Sequence, residues 1–234
     1  MLSVAKLMMG GGAGGGGGSE TLELPYLIFN VNGQSRGSRY FNTSVVPTAT
    51  TRMELLMGRT QSPASTTGCQ FGCRSGWVRN ALMLNYGPGD YYCWIIYNDG
   101  TYDLRRKPVD RDFGAVFVSF GSDGTLVAGA ETLVTGQPLS LANNALFIGD
   151  VNENGRPKGS SDGQGSAKMY WCKIYENDAL VKHYVPAQQN GSAVLHELVS
   201  DTYLSSTGSF AESSIVYGEE TVTVVNGGKI EMEA

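Results

Sequence analysis

The sequence predicts an all-β protein in which two antiparallel sheets pack face to face as a sandwich. Glycine is abundant, with 32 among 234 residues, and only 17% of the residues are charged. Short apolar runs recur roughly every 8 to 14 residues, and turn-forming Gly, Asn or Asp separates them. No stretch combines a sustained helical period with capping residues. The chain is therefore expected to form many short strands joined by tight turns.

Individual segments carry the signals of strands and hairpins. Thr51 to Leu55 alternates polar and apolar residues, which is the period of a half-buried strand. The run YYCWIIY (91–97) is followed by Asn-Asp-Gly, a strong hairpin signal. The run FGAVFVSF (113–120) leads into the turn GSDG, and residues 125–136 read as a further hairpin.

The run SAKMYWCKIYEN (166–177) predicts a central strand. Its apolar positions Met169, Trp171, Ile174 and Tyr175 shift in phase, which indicates a bulge or a strand covered on both faces. Such a strand belongs near the centre of a two-sheet sandwich. We expect its aromatic side chains to pack in the core.

The N-terminal residues 1–19 differ from the rest of the chain. An apolar piece, Met1 to Met9, precedes GGGAGGGGGS, and poly-glycine is costly to order. Two interpretations stay open, a disordered tail or a tether between a docking peptide and a folded head. The predicted organisation is a docking peptide and tether over 1–19, a sandwich domain over 20–213, and a C-terminal strand or tail over 214–234.

Charge and hydropathy disfavour two classes of partner. The formal net charge is −5, and the only compact basic run, Arg105 to Lys107, has Asp103 and Asp110 on its flanks. A nucleic-acid partner is not expected, because phosphate binding needs a basic face. Membrane insertion is not expected either, because no apolar run approaches the ~20 residues of a span. No signal peptide is predicted at the start of the chain.

The four cysteines do not form a zinc-binding pattern. Cys69 and Cys73 are close in sequence, but neither a second cysteine pair nor a closely spaced histidine pair accompanies them. Cys93 and Cys172 lie inside apolar, aromatic runs, so buried free thiols are predicted.

The second half of the chain carries an ordered series of segments. NNALFIGDVNENG (143–155) is followed by K-x-Y-x-x-K-I-Y-x-N-x-x-L-V, which runs from Lys168 to Val181. Pro186, Gly191 and a Tyr-x-x-x-x-G-x-F corner ending at Phe210 complete the series. This order resembles the concanavalin A-like lectin and glucanase superfamily, specifically the laminin-G-like domains common in phage and gut-bacterial proteins. The segment RYFNTSVVPTATTRMELLM is similar to the opening of that family, and the resemblance covers about 24–210. It implies a jelly-roll sandwich.

No catalytic constellation is visible. The hydrolases of the superfamily carry Glu-x-Asp-x-Glu on one strand, and this sequence lacks that motif. The acidic pairs Glu219-Glu220 and Glu231–Glu233 lie in the C-terminal tail. His183 and His196 lie in apolar, strand-like runs without a G-x-S-x-G motif. The protein is therefore predicted not to be an enzyme, and a glucanase relative is the least favoured alternative.

One segment matches the first six positions of a calcium-binding loop. Asp150, Asn152 and Asn154 are spaced as D-x-N-x-N-G, but the expected Glu at the twelfth position is missing, with Asp162 next to it. The same residues suit a tight turn, which is the favoured interpretation. If calcium binds, these four residues are the predicted ligands.

The resemblance implies a bacteriophage virion protein with a lectin-like domain that adheres to a host-surface glycan or protein, as a tail or head fibre does. Trp77, Tyr91 and Tyr102, aromatic residues of predicted loops, are the candidate ligand contacts, and packing in the core is the favoured alternative for each of them. The N-terminal arm would bind other virion subunits, and the chain would be a homo-oligomer or present in many copies. The alternative is a purely architectural capsid or tail decoration protein without a ligand site.

Overall fold

The computed structural model describes residues 21–29, 39–59, 69–75, 81–87, 92–98, 102–108, 115–129, 131–134, 140–157 and 167–208. Within these ranges the chain forms eighteen strands and no helix. In chain order, the strands are β1 (Thr21–Glu23), β2 (Leu27–Phe29), β3 (Phe41–Asn42), β4 (Arg52–Arg59), β5 (Cys69–Arg74), β6 (Ala81–Gly87), β7 (Tyr92–Asn98), β8 (Tyr102–Pro108), β9 (Val116–Gly121), β10 (Thr125–Ala128), β11 (Glu131–Val134), β12 (Phe147–Ile148), β13 (Val151–Glu153), β14 (Arg156–Pro157), β15 (Ala167–Glu176), β16 (Ala179–Gln189), β17 (Ser192–Glu197) and β18 (Thr202–Ser205).

The first sheet has ten strands. Eight of them follow the order β11-β10-β9-β4-β15-β16-β17-β18, and every pairing is antiparallel. The predicted central strand is β15, which lies between β4 and β16. Its register shifts twice, against β4 between Met169 and Trp171 and against β16 between Ile174 and Tyr175. The prediction of a bulged central strand is therefore confirmed.

The N-terminal segment completes this sheet. Strand β2 pairs with the beginning of β15, and β1 pairs with the end of β16. The backbone nitrogen of Leu24, between β1 and β2, donates a 2.9 Å hydrogen bond to the carbonyl of Pro186. Strands β15 and β16 pair directly only over residues 172–176 and 179–184. Beyond these residues the two strands separate, and residues 21–29 lie between them.

The second sheet has eight strands. Six follow the order β14-β13-β5-β6-β7-β8, and β12 pairs with both β3 and β5. The pair β13–β5 is parallel, whereas the other pairs of this sheet are antiparallel. One parallel pair thus lies within sheets that are otherwise antiparallel, as predicted. Strand β12 pairs antiparallel with β5 at residues 71 and 72. The chain then reverses direction at Gly149 and Asp150, so β13 runs parallel to β5 beside residues 72–74.

The core lies between the two sheets. Among the described residues, the largest fully buried side chains come from both sheets. They are Phe29, Phe41, Phe71, Phe120, Leu27, Met53, Leu55, Leu56, Met57 and Leu82. With Leu56 excepted, these residues belong to one continuous cluster. The all-β, two-sheet sandwich predicted from the sequence is confirmed.

The predicted hairpins are present as antiparallel pairs. Strands β7 and β8 pair around residues 99–101, β9 and β10 around the turn at 122–124, and β10 and β11 around 129–130. Residues 1–20 and 209–234 lie outside the described ranges, so the domain boundaries stay predictions. No helix in the described ranges has the length and apolarity needed to cross a membrane.

Candidate ligand-binding face

The outer surface of the ten-stranded sheet carries a row of large apolar side chains. Phe117 lies opposite Leu56 in the β9–β4 pair, and Leu56 lies opposite Trp171 in the β4–β15 pair. The neighbours of Phe117 and Leu56 along their strands point into the core, so alternation places these side chains outside. Leu56 is nevertheless fully buried, because aromatic rings cover it.

The bulge in β15 brings two adjacent aromatic residues into this outer cluster. Tyr170 is the extra residue of the bulge, and it packs with Leu56 and Ala115 while Trp171 lies against them. A Cβ at Gly58 would lie 3.0 Å from Cε2 of Tyr170, so glycine at this position leaves space for the ring. A regular strand would have directed one of the two aromatic side chains inward.

Ring-to-ring contacts connect the outer side chains. The Tyr26 and Tyr170 rings are 5.6 Å apart at 61°, and Phe117 is 6.2 Å from Trp171. The imidazole of His183 on β16 lies 6.4 Å from Trp171 at 86°. The Tyr26–Tyr170 and Trp171–His183 pairs meet edge to face, and such contacts restrain the rings. Four of these residues stay partly exposed, and Tyr170 is buried.

Basic side chains lie over the aromatic rings. The Lys168 ammonium is 4.2 Å from the centroid of Tyr26, and the Lys173 ammonium is 5.1 Å from that of Trp171. Both are within cation–π range. We name this surface the outer aromatic face, and it consists of Tyr26, Leu56, Phe117, Lys168, Tyr170, Trp171, Lys173 and His183.

A buried carboxylate holds the strand that carries His183. Glu197 at the end of β17 accepts hydrogen bonds from the backbone nitrogens of His183 (3.0 Å), Val199 (2.9 Å) and Ser200 (3.0 Å). It also accepts from the Ser200 hydroxyl and, at 3.2 Å, from the ammonium of Lys182. Burial raises the pKa of this carboxyl, but these hydrogen bonds outweigh burial and lower the pKa to about 2.

The sequence-predicted ligand contacts are not tested by the structure. Trp77 and Tyr91 lie outside the described residues. Tyr102 is the first residue of β8, and its side chain lies outside the described part of the chain.

The outer aromatic face was not predicted as a site. Its signal was the phase shift in β15, which was interpreted as core packing. Met169 and Ile174 do lie in the core, but that interpretation is wrong for Trp171 and Tyr175, which are half-buried on the outer face.

The predicted calcium-binding segment forms the β13–β14 hairpin. Asn154 and Gly155 have φ of 54° and 84°, as a tight hairpin turn requires. The Asn152 side chain accepts from the backbone nitrogen of Gly155 and donates to the carbonyl of Ala145, both at 2.9 Å. Asp150 accepts from the nitrogen of Val151 at 2.6 Å. The favoured turn is thus present, and Asp162 lies outside the described ranges. Calcium binding stays a prediction.

Two of the four thiols can be placed. Cys73 and Cys172 are fully buried free cysteines of the core. Burial raises the pKa of Cys73 to about 12 and raises that of Cys172 further. The side chains of Cys69 and Cys93 lie outside the described part of the chain. Among the described residues, no cluster of three or more His, Cys, Asp or Glu is arranged to hold a metal ion.

Fold and face together define a β-sandwich domain with an aromatic outer surface on its larger sheet. No family model matches the chain, and no curated protein matches it significantly. Among solved structures it is similar to the CBM40 of the Ruminococcus gnavus IT-sialidase, with a TM-score of 0.37 and 13% identity over 61% of this chain and 91% of that chain.

Two peptidase structures are also similar to parts of the chain. Scytalido-glutamic peptidase with a peptide-based transition-state analogue has a TM-score of 0.30 and 14% identity, and the match covers 72% of this chain and 88% of that chain. SCP-B, a member of the Eqolisin family in complex with a tripeptide, has a TM-score of 0.26 and 14% identity over 72% and 87% of the two chains. Similarities at this level assign no function.

Proposed function

We propose that this domain is a non-catalytic saccharide-binding protein and that the outer aromatic face is its binding site. The observation that carries the proposal is the row Phe117–Leu56–Trp171 on three neighbouring strands, in which two partly exposed aromatic rings flank the buried Leu56. Saccharide rings present apolar C–H faces that stack on aromatic rings, while their hydroxyls need polar partners at the rim. Lys168, Lys173 and His183 provide such partners.

The rigidity of the face supports the proposal. With Tyr26 excepted, its side chains project from paired strands of the ten-stranded sheet rather than from loops, and ring-to-ring contacts restrain the aromatic side chains. A preorganised surface loses little conformational entropy when a ligand binds. An aromatic patch without a ligand would be an unusual feature of a monomeric surface.

The absence of catalysis is part of the same proposal. Glu197 is the carboxylate with the most perturbed pKa among the described residues, and it accepts five hydrogen bonds. A carboxyl that stays ionised and fully hydrogen-bonded is poorly suited to act as a general acid. Its contacts support a structural role.

We further propose that binding serves adhesion by a bacteriophage virion, as the concanavalin A-like resemblance implies. The N-terminal arm would attach the domain to other virion subunits in multiple copies. The architectural alternative, in which the outer aromatic face packs on another subunit, is favoured by the same half-exposed apolar rings. A binding measurement separates the two functions.

The proposal is tested by measuring binding of the purified protein to a glycan array, with calcium and with a chelator. We expect saturable binding to a limited set of saccharides that Trp171→Ala reduces at least tenfold. Val199→Ala, which removes an exposed apolar side chain outside the face, is the matched control and should bind normally. Absence of binding by the folded wild-type protein would reject saccharide binding and favour the architectural function. Loss of binding in the chelator would show that binding requires a divalent cation.

A further inference from the structure

We propose that the saccharide recognised by the outer aromatic face is acidic and that Lys168 and Lys173 bind its carboxylate or sulfate groups. This inference rests on the proposed function, because it names the ligand class for the same face. It follows from the position of the two lysines, from the charges around them and from the rings beneath them.

The bulge in β15 places both lysines on one side of the sheet. Residues 168 and 173 are separated by an odd number of positions, so a regular strand would direct them to opposite faces. The extra residue, Tyr170, restores the phase. Lys168 therefore lies opposite Gly58, and Lys173 lies opposite Glu54, in the outer set of β4 positions.

The acidic residue opposite Lys173 is paired with a different basic side chain. Glu54 lies across from Lys173 in the register, but its carboxylate forms an ion pair with Arg52 on its own strand. Arg52 also lies 3.7 Å from Asp178 and 4.1 Å above the ring of Tyr175. Lys173 makes no ion pair with any residue in the described ranges. Among the described residues, the outer aromatic face thus contains two lysines and no acidic side chain, whereas the whole chain has a formal charge of −5.

The two lysine ammonium groups lie beside the aromatic rings on which a sugar would stack. Each ammonium lies over a ring, Lys168 over Tyr26 and Lys173 over Trp171. A cation–π contact at a partly exposed site is weaker than a charge-assisted hydrogen bond to an anion. An acidic substituent on a sugar stacked against Trp171 would thus be favoured over a neutral one.

The test compares acidic polymers with neutral counterparts. Binding of the full-length protein is measured by biolayer interferometry to polygalacturonate and its methyl ester, and to dextran sulfate and dextran. We expect the acidic member of at least one pair to bind about tenfold more tightly at physiological salt, as charge complementarity predicts. The pair that shows the preference distinguishes carboxylate from sulfate recognition.

Charge-removing variants locate the preference. Lys168→Gln and Lys173→Gln should each weaken binding of the acidic polymer several-fold, and the double variant should bind the acidic and neutral polymers equally. Arg156→Gln removes an exposed charge from the other sheet and should have no effect. Trp171→Ala should weaken binding of the acidic polymer, which separates a stacked ligand from a polyanion held by charge alone.

Four results would overturn the inference. They are equal affinity of the wild-type protein for the acidic and neutral polymers, a preference that survives in the double variant, binding indifferent to Trp171→Ala, and no binding of either acidic polymer. Equal affinity for acidic and neutral polymers would leave the proposal of saccharide binding intact. If neither acidic polymer binds, the glycan array still tests independently whether the protein binds any saccharide.

Discussion

Glu197 holds the backbone of His183 through a 3.0 Å hydrogen bond, and the imidazole of the same His183 lies edge-on to Trp171. The buried carboxylate at the end of β17 is thereby coupled to the outer aromatic face on the opposite side of the sheet. The turn after β17 depends on the same carboxylate, because Val199 and Ser200 also donate to it.

The first prediction concerns acid stability. The folded-state pKa of Glu197, about 2, lies below its ordinary value, so its contribution is complete above about pH 4.5 and is lost as the pH falls towards 2. A difference of this size corresponds to roughly 3 kcal/mol of unfolding free energy. Glu197→Gln should lower the unfolding free energy at pH 7 by about that amount. It should also reduce the loss of unfolding free energy between pH 4.5 and pH 2. Urea denaturation between pH 2 and 7 measures both, and an unchanged loss in the variant would contradict the prediction.

The second prediction concerns Gly149, which has φ of +88° and lies against the ring of Phe29. A Cβ at this position would overlap that ring, so Gly149→Ala should combine backbone strain with overpacking and cost about 2–4 kcal/mol. Gly155 provides the matched control, because it has φ of +84° and its added Cβ meets no described atom within 4 Å. Gly155→Ala should cost about 1 kcal/mol. Equal losses in chemical denaturation would show that Phe29 does not restrict this site.

The third prediction tests the N-terminal segment within the larger sheet. Phe29 on β2 is 1% exposed and lies 6.2 Å from Phe41 and 6.1 Å from Phe71, both core residues of the other sheet. Phe29→Ala should cost about 3–5 kcal/mol, as truncation of a buried aromatic residue does. The adjacent Ile28 is only half-buried, so Ile28→Ala should cost less than half as much. If thermal denaturation detects no effect of Phe29→Ala, β2 is not part of the folded domain.

The fourth prediction concerns the two buried thiols. Burial raises the pKa of Cys73 to about 12, and Cys172 is fully buried as well, so neither forms the reactive thiolate at pH 8. In native protein treated with iodoacetamide, peptide mass spectrometry should find both unmodified, whereas both should react after denaturation. Rapid labelling of Cys172 in the native state would contradict its place between the sheets.

Much of the fold could be predicted because its signals are local. The alternation in 51–55 and the turn residues after β7 and β9 depend only on neighbours in the chain, and they identified strands and hairpins. The bulge of β15 was visible as a shift in phase. The parallel pairing of β13 with β5 and the insertion of 21–29 between β15 and β16 depend on contacts between distant segments, which no local pattern encodes.

The candidate site could not be predicted for a related reason. Whether Trp171 faces the core or the solvent depends on which residue of β15 forms the bulge, and a shift by one position reverses its direction. The row it forms with Leu56 and Phe117 requires the register of three strands. Aromatic residues in apolar runs usually pack in cores, so this general expectation favoured the wrong side for Trp171.

The central claim, that the outer aromatic face binds saccharide, is tested most directly by NMR titration of ¹⁵N-labelled protein with the strongest ligand from the glycan array. The indole N–H of Trp171 is assigned with Trp171→Phe. We predict that this resonance and amides of β4, β9 and β15 shift together, with saturation at one affinity. Shifts confined to the β13–β14 hairpin, with the Trp171 resonance unmoved, would contradict the claim.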